Sequence, residues 1–136
     1  MRKSIITFLF LFIFITLIAP PTTSTLYISK VPTISIWEKY EPLINAIVKV
    51  ESNGNTYAYN ALEDAIGAFQ IRPCRIKHYN KLNGTSYKHK DCYNYNLAKK
   101  IFLFFAEGKS YEQAAKDWNG SGPKTITYWK KVKQFI

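Results

Sequence analysis

The sequence predicts a mainly helical domain. Apolar residues after position 40 recur every three or four positions, which is the spacing of one face of a helix. Turn-forming residues separate these stretches, and no stretch after position 40 alternates for long in the way a strand does. The 136 residues are enough for one compact domain and too few for two of ordinary size. With 47% hydrophobic and 21% charged residues, the composition is that of a globular protein.

The N-terminal segment 1–24 is predicted to be a secretory signal peptide. Arg2 and Lys3 form a basic head, and the uncharged apolar run at 5–19 is shorter than the roughly 20 residues that a membrane-spanning helix needs. Two prolines and a polar stretch follow, as is typical near a cleavage site. No Ala-x-Ala site is clear, so retention as a membrane anchor is the alternative.

The rest of the chain divides into two parts. Residues 25–39 mix β-branched residues with proline without helical periodicity, which predicts an arm or linker. Residues 40–136 are predicted to form the domain. Because of the signal peptide, we expect the protein to be exported to the periplasm, the cell envelope or the outside of the cell.

The first predicted helix carries the most informative residue. Pro42 suits its first turn, and the turn-forming stretch 52–55 ends it. Its apolar face consists of Leu43, Ile44, Ile47 and Val48. Glu51 continues this face at the last turn, where desolvation and the negative end of the helix dipole both raise the pKa of a carboxyl group. General acid catalysis needs such a protonated carboxyl, although a glutamate that points into solvent is the alternative.

Two further segments follow the first helix. Residues 61–71 are predicted to be a short helical segment, in which Gly67 lets a neighbouring segment approach closely. Pro73 can open a second helix that runs toward Leu82, and Asn83-Gly84 then makes a turn.

Three helices are predicted in the C-terminal half. Asn94 or Asn96 caps the first, whose apolar face is Leu97, Ile101, Phe104 and Phe105 and whose end is Gly108. Ser110 to Gln113 fits a capping box for the second, which extends through Trp118. The closing helix is predicted to bury Ile126, Trp129 and Val132 and to expose Lys130, Lys131 and Lys133.

Cys74 and Cys92 are the two cysteines of the chain. In an exported protein a disulfide between them is the natural expectation, worth about 3 kcal/mol. Two free thiols are one alternative. A zinc site is another, since Cys74 and Cys92 are spaced suitably with His78 and His89. We expect no bound metal and no cofactor.

The charge predicts an anionic environment. Lys and Arg outnumber Asp and Glu by 19 to 9, for a formal charge of +10. Such a surplus favours nucleic acid, anionic lipid or an acidic cell-wall polymer, unless it is only a solvated basic surface. Export argues against nucleic acid. The sequence does not indicate an oligomeric state.

Three motifs together resemble the lytic transglycosylase (SLT-type) family, whose fold is shared with goose-type lysozyme. The family has a helix that ends in Glu-Ser before a Gly-Asn turn, then Gly-x-x-Gln-Ile, and later Ala-x-x-Tyr-Asn-x-Gly. The matching segments here are Glu51–Asn55, Gly67–Ile71 and Ala115–Gly120, in the same order. The match spans about residues 42–132. The resemblance implies a lysozyme-like helical domain.

The resemblance also implies roles for individual residues. Glu51 is similar to the family's single catalytic acid, and Ser52 to the neighbour that helps hold the substrate or the glutamate. Gln70 is similar to a residue that lines the sugar cleft, and Asn119 lies in the loop that forms the opposite wall. Trp118 departs from the family, which has Tyr there. An indole N–H can donate a hydrogen bond but cannot accept one. Three roles are open for Trp118: donating to Glu51, stacking on a sugar ring, or packing in the core.

The implied reaction is cleavage of peptidoglycan strands at the β-1,4 bond between N-acetylmuramic acid and N-acetylglucosamine, giving 1,6-anhydro ends. Two alternatives fit the same residues. A second carboxylate that faces Glu51, from Glu63, Asp64 or Asp91, would activate water and make the enzyme a lysozyme-type hydrolase. Alternatively, the protein binds the cell wall without cutting it. A retained N-terminal segment would add association with the membrane.

Overall fold

Five α-helices form most of residues 35–136, the part of the chain that the computed structural model describes. They are α1 (Ile36–Ser52), α2 (Pro73–Asn83), α3 (Tyr95–Ala106), α4 (Tyr111–Asn119) and α5 (Lys124–Val132). The short strands β1 (Tyr59–Asn60) and β2 (Ala65–Ile66) and two 3-10 helices (His89–Tyr93 and Lys133–Phe135) complete the fold. The mainly helical prediction is confirmed for these residues.

The predicted signal peptide and most of the predicted arm lie outside the described residues. Within residues 35–136, no helix combines the length and the apolarity that crossing a membrane requires.

Helix α1 begins earlier than the sequence pattern indicates. The Ser35 hydroxyl accepts a hydrogen bond from the Glu38 amide at 3.3 Å, and the Glu38 carboxylate accepts one from the Ser35 amide at 3.0 Å. This capping box makes residues 36–39 the first turn of α1, whereas we predicted an arm there. Pro42 therefore lies inside the helix, on an exposed position, and not in its first turn.

The prediction of a helical segment at 61–71 is wrong, because these residues form turns and the strand β2. β1 and β2 pair in antiparallel fashion, with Tyr59 opposite Ile66. The Asn60 side chain accepts a hydrogen bond from the Leu62 amide at 3.1 Å, and Asp64 has a φ of 48°, so local turn formation prevails over helix propensity. Ile66 and Ile71 then exchange backbone hydrogen bonds of 3.1 and 2.9 Å.

Gly67 provides the close approach that the sequence predicts. Its φ is 76°, and a Cβ atom built on it would lie 2.5 Å from the backbone oxygen of Cys92. A side chain at this position would therefore push the 3-10 helix His89–Tyr93 away from the loop that follows β2.

Phe69 connects this loop to the helices. Its buried ring lies 5.6 Å from the ring of Tyr95, 5.5 Å from that of Phe102 and 6.4 Å from that of Trp118, measured between centroids. Loop, α3 and α4 therefore share one core with the buried face of α1, which includes Leu43, Ile44 and Ile47. This packing fixes the end of α1 against the loop.

The later helices are capped by predicted residues, although only half of the capping box at Ser110 forms, because the Gln113 side chain donates to Asp117 instead. The side chain of Asn94 accepts from the Leu97 amide at 3.0 Å at the start of α3, and Ser110 accepts from the Gln113 amide at 3.2 Å at the start of α4. Pro73 opens α2 and Gly84 ends it.

The predicted buried faces of α3 and α5 are partly wrong. In α3, Ile101 is buried as expected, but Phe102 is buried with it while Phe104 is 37% exposed. In α5 the buried residues are Thr125, Tyr128 and Val132, whereas Ile126 is 52% exposed. The buried side of α5 is thus turned by about one residue from the most apolar side, which places a tyrosine hydroxyl inside the domain.

Candidate active site

Glu51 occupies the last turn of α1, as the sequence predicts. The helix ends at Asn53, which adopts the left-handed conformation with a φ of 53° and bonds back to Lys49. Glu51 is partly buried and lines two hollows, which also share Asn119 as a lining residue. One carboxyl group therefore borders both spaces.

Tyr128 is the closest polar partner of Glu51. Its hydroxyl donates a hydrogen bond of 2.6 Å to Glu51 Oε1. Both groups lie away from bulk solvent, and burial together with the negative charge of Glu51 raises the pKa of the Tyr128 hydroxyl. The tyrosine thus stays a donor throughout the physiological pH range.

The pKa of Glu51 is raised to about 7, mainly because burial disfavours the charged carboxylate. The hydrogen bond from Tyr128 lowers this pKa, the negative charge of Glu63 raises it, and the positive charge of Arg72 lowers it. A carboxyl group with this pKa holds its proton on about half of the molecules at neutral pH, so it can both donate and accept one.

The smaller hollow has a volume of about 40 Å³ and is polar and charged. Its lining comes from the end of α1, the loops after β1 and β2, the start of α2 and the end of α4. The lining residues are Glu51, Glu63, Gln70, Ile71, Arg72, Arg75, Trp118 and Asn119. Arg72 Nη2 donates to the carbonyl of Asn119 at 3.3 Å, and Arg75 Nη2 donates to that of Trp118 at 2.8 Å. The two guanidinium groups therefore hold the end of α4 beside Glu51.

The larger hollow has a volume of about 450 Å³ and lies between the end of α1 and one side of α5. It is lined by Val50, Glu51, Asn119, Lys124, Thr127, Tyr128 and Lys131. Spaces of this size are typical of small-molecule sites.

Of the four predicted substrate-binding residues, Gln70, Trp118 and Asn119 line a hollow together with Glu51, and Ser52 does not. Asn119 lines both hollows, and Gln70 lines the smaller one with its amide donating to the Gly67 carbonyl at 3.0 Å. Ser52 lines neither of these two hollows. Its hydroxyl lies 2.9 Å from the Ala68 carbonyl and thereby ties the end of α1 to the loop. This contact is made to the backbone of the loop and not to the Glu51 carboxyl group, so the two roles implied for Ser52 stay predictions.

Trp118 packs in the core. It is 6% exposed, and its indole N–H donates to the Phe69 carbonyl at 3.2 Å, not to Glu51. The Arg75 guanidinium lies 4.7 Å from its ring centroid. Of the roles open for this residue, core packing is the one observed, with one edge at the smaller hollow.

Tyr128 was not among the predicted site residues. The resembled family has a tyrosine at the position of Trp118, whereas the hydroxyl that contacts Glu51 here belongs to α5. A signal existed in the sequence: Thr125, Tyr128 and Val132 share one helical face, and a tyrosine on a buried face needs a partner for its hydroxyl.

The three candidate second carboxylates have different surroundings. Glu63 is exposed, as surface carboxylates usually are, yet it lines the smaller hollow with Glu51. Asp64 lies 3.9 Å from His89 Nδ1. Asp91 accepts from the Lys88 amide at 2.8 Å and so caps the 3-10 helix, as expected for a capping residue. Of the three, Glu63 alone borders a space shared with Glu51.

Both cysteines are free thiols, so the predicted disulfide is not formed. Cys74 is exposed at the start of α2, whereas Cys92 is fully buried, and burial raises the pKa of its thiol to about 12. The zinc alternative fails as well: His89 Nε2 lies 2.7 Å from the Ile71 carbonyl, His78 packs against Phe105, and residues 35–136 contain no cluster of three or more metal-ligating side chains.

The chain matches no protein-family model, no curated protein and no solved structure.

Proposed function

We propose that the protein is a lytic transglycosylase with a lysozyme-like fold, which cuts the β-1,4 bond between N-acetylmuramic acid and N-acetylglucosamine in peptidoglycan and leaves 1,6-anhydro ends. The observation that carries the proposal is the carboxyl group of Glu51, which is partly buried, bonded to Tyr128 at 2.6 Å, given a pKa of about 7, and open to two hollows.

In the proposed reaction, Glu51 protonates the oxygen of the leaving sugar while the glycosidic bond breaks and positive charge develops on the muramic acid ring. The resulting carboxylate then takes the proton of the 6-hydroxyl of that ring. The 6-oxygen closes on the anomeric carbon, which gives the anhydro product and restores the acid. The nucleophile is intramolecular, so no second carboxylate is needed.

The meeting of the three family-like motifs supports the proposal. Ser52, of the first motif, bonds to Ala68 of the second. Trp118, of the third motif, bonds to Phe69 of the second, and Asn119 borders both hollows next to Glu51. Segments that are far apart in sequence thus assemble around the carboxyl group that the resemblance assigns as the acid.

A hydrolase is the second candidate, because Glu63 lines the smaller hollow together with Glu51. A carboxylate there could activate water, and the products would then be reducing ends. The third candidate, a wall-binding protein without activity, was suggested by the replacement of the family tyrosine with Trp118. Tyr128 supplies a hydroxyl to Glu51 in its place, and this disfavours a protein without activity.

The proposed substrate lies outside the cytoplasmic membrane, in line with the expected signal peptide, and association with the membrane would follow if that peptide is retained. We propose no nucleic-acid partner and no cofactor, because the acid and the substrate's own hydroxyl suffice for the reaction.

Digestion of purified sacculi followed by mass spectrometry tests the function. We expect ends that are lighter than reducing ends by one water, and none from Glu51→Gln. Glu107→Gln is the matched control, because Glu107 is exposed and lines neither hollow. Reducing ends would select the hydrolase. Cleavage by Glu51→Gln would reject Glu51 as the acid, and binding of sacculi without any cleavage by the parent protein would select the third candidate.

A further inference from the structure

We propose that one side of α5 binds the carboxylates of the peptide stems, so that the enzyme prefers strands that carry stems over bare strands. The surface consists of Lys124, Thr127 and Lys131 and is called the lysine face below. The inference rests on the proposed function, since it names the part of the substrate that occupies the larger hollow.

The lysine face is one wall of the hollow that Glu51 borders. Its residues are three and four positions apart, so they lie on one side of α5. The opposite wall, from α1, contributes Val50 and Glu51. A ligand in this space is therefore in reach of the acid and of both ammonium groups.

Among residues 35–136, no carboxylate forms an ion pair with the lysines of this face. Within residues 35–136, three other lysines form ion pairs with carboxylates, of which Lys99 with Glu41 at 2.8 Å is one. Lys124 and Lys131 form none with the described residues. The one carboxyl group that lines the hollow is Glu51, which is largely protonated below pH 7. The hollow is therefore cationic when the acid is ready to act.

The chemistry of the substrate decides which group fits. N-acetylated sugars joined by β-1,4 bonds carry no charge, and the lactyl group of muramic acid becomes an uncharged amide when a stem is attached. The negative charges of such a strand are the carboxylates of the stem. A hollow of about 450 Å³ next to Glu51 has room for a stem residue. Its positive charge is complementary to the stem carboxylates and not to uncharged sugars.

The test compares two substrates and two double variants. The substrates are sacculi free of teichoic acid and the same sacculi stripped of stems by an amidase, with the freed lactyl carboxylates converted to methyl amides so that the bare strands carry no charge. Lys124→Gln/Lys131→Gln removes the lysine face, and Lys130→Gln/Lys133→Gln removes the same charge from exposed positions outside the hollow. Both pairs are exposed, and thermal unfolding checks that the variants fold.

We expect the wild type and the control to cut stem-bearing strands faster, and the preference to fall about tenfold in Lys124→Gln/Lys131→Gln, as the loss of two exposed ion pairs allows. The preference should also shrink as salt is added. Equal rates on both substrates for the wild type, or the same preference in both double variants, would overturn the inference while leaving the cleavage activity intact.

A binding measurement separates failure of the inference from failure of the proposed function. NMR titrations of Glu51→Gln, with and without the two lysines of the lysine face, use a soluble disaccharide-tetrapeptide and the same disaccharide with its lactyl carboxylate blocked as a methyl amide. Stem-dependent binding that needs the lysine face supports the inference even if the parent protein cuts nothing. Phosphate is the other anion that the lysine face could bind, so a glycan strand with teichoic acid phosphate and no stems is also tested. If binding depends on the lysine face for that strand alone, the assignment to carboxylates is overturned.

Discussion

The hydroxyl of Tyr128 and the carboxyl of Glu51, 77 positions apart in the chain, are joined by a hydrogen bond of 2.6 Å. Tyr128 donates to Oε1, so a proton carried by Glu51 lies on the other oxygen, Oε2. The bond also opposes the effect of burial, since it lowers the pKa that burial raises. We therefore propose that Tyr128 is a positioning residue in this reaction, which fixes the oxygen that donates the proton and lowers the pKa of Glu51 toward 7.

Replacement of Tyr128 by Phe tests this role. Without the hydrogen bond the pKa of Glu51 rises above about 7, so the decline in cleavage rate at alkaline pH moves to a higher pH. The rate should also fall about 10- to 100-fold, because the carboxyl is no longer held in place. The profile of kcat/KM against pH measures both effects. Tyr111→Phe is the control, since its hydroxyl bonds to Lys39 away from the site. An unmoved profile would contradict the role.

Substitutions of Glu63 and Arg72 are expected to shift the profile of kcat/KM against pH in opposite directions. The charge of Glu63 raises the pKa of Glu51, so Glu63→Gln shifts the alkaline decline to lower pH. The charge of Arg72 lowers that pKa, so Arg72→Gln shifts the decline to higher pH. If both variants shift the profile in the same direction, the charges of these two side chains are not the cause of the shifts. Complete loss of cleavage in Glu63→Gln would instead indicate that Glu63 activates water, as in the hydrolase.

The stability of the protein should depend on pH through Glu51. Its pKa is 4.5 when unfolded and about 7 when folded, so between these values the folded state holds a proton that the unfolded state has lost. The free energy of unfolding therefore decreases as pH rises from 4.5 to 7, by about 3 kcal/mol. Glu51→Gln cannot ionise and should be more stable than the wild type at pH 8. Denaturant unfolding at pH 5 and pH 8 checks this, and equal stability at pH 8 would contradict it.

The sequence predicts those parts of the site that depend on neighbours in the chain. The position of Glu51 at a helix end, the caps Asn94 and Ser110, and the opening of α2 at Pro73 follow from local chemistry, and the structure has them. The motifs also predict that Asn119 lies near Glu51, and both residues line the smaller hollow.

The remaining features depend on packing between distant elements. The buried side of α5, which includes Tyr128, is set by its packing against α4 and α1, although Ile126 is more apolar than Tyr128. Trp118 occupies the core because Phe69 and Phe102 surround it, and not because of its position in a motif. The hairpin of β1 and β2 forms because the Asn60 side chain and the backbone of Asp64 favour turns over a helix.

Gly67 offers a test of the loop that carries Gln70 and supports Glu51. Gly67→Ala adds a methyl group that would lie 2.5 Å from the Cys92 carbonyl oxygen, on a backbone with a φ of 76°. Gly54→Ala is the matched control, because Gly54 has a φ of 86° but no atom within 4 Å of an added Cβ. The control should lose about 1 to 3 kcal/mol through backbone strain alone. Gly67→Ala must also displace the 3-10 helix His89–Tyr93, so its loss should be larger, and its cleavage rate should fall because the loop moves. Denaturant unfolding compares the two variants, and an equal loss in both would show that the contact with Cys92 does not hold the loop in place.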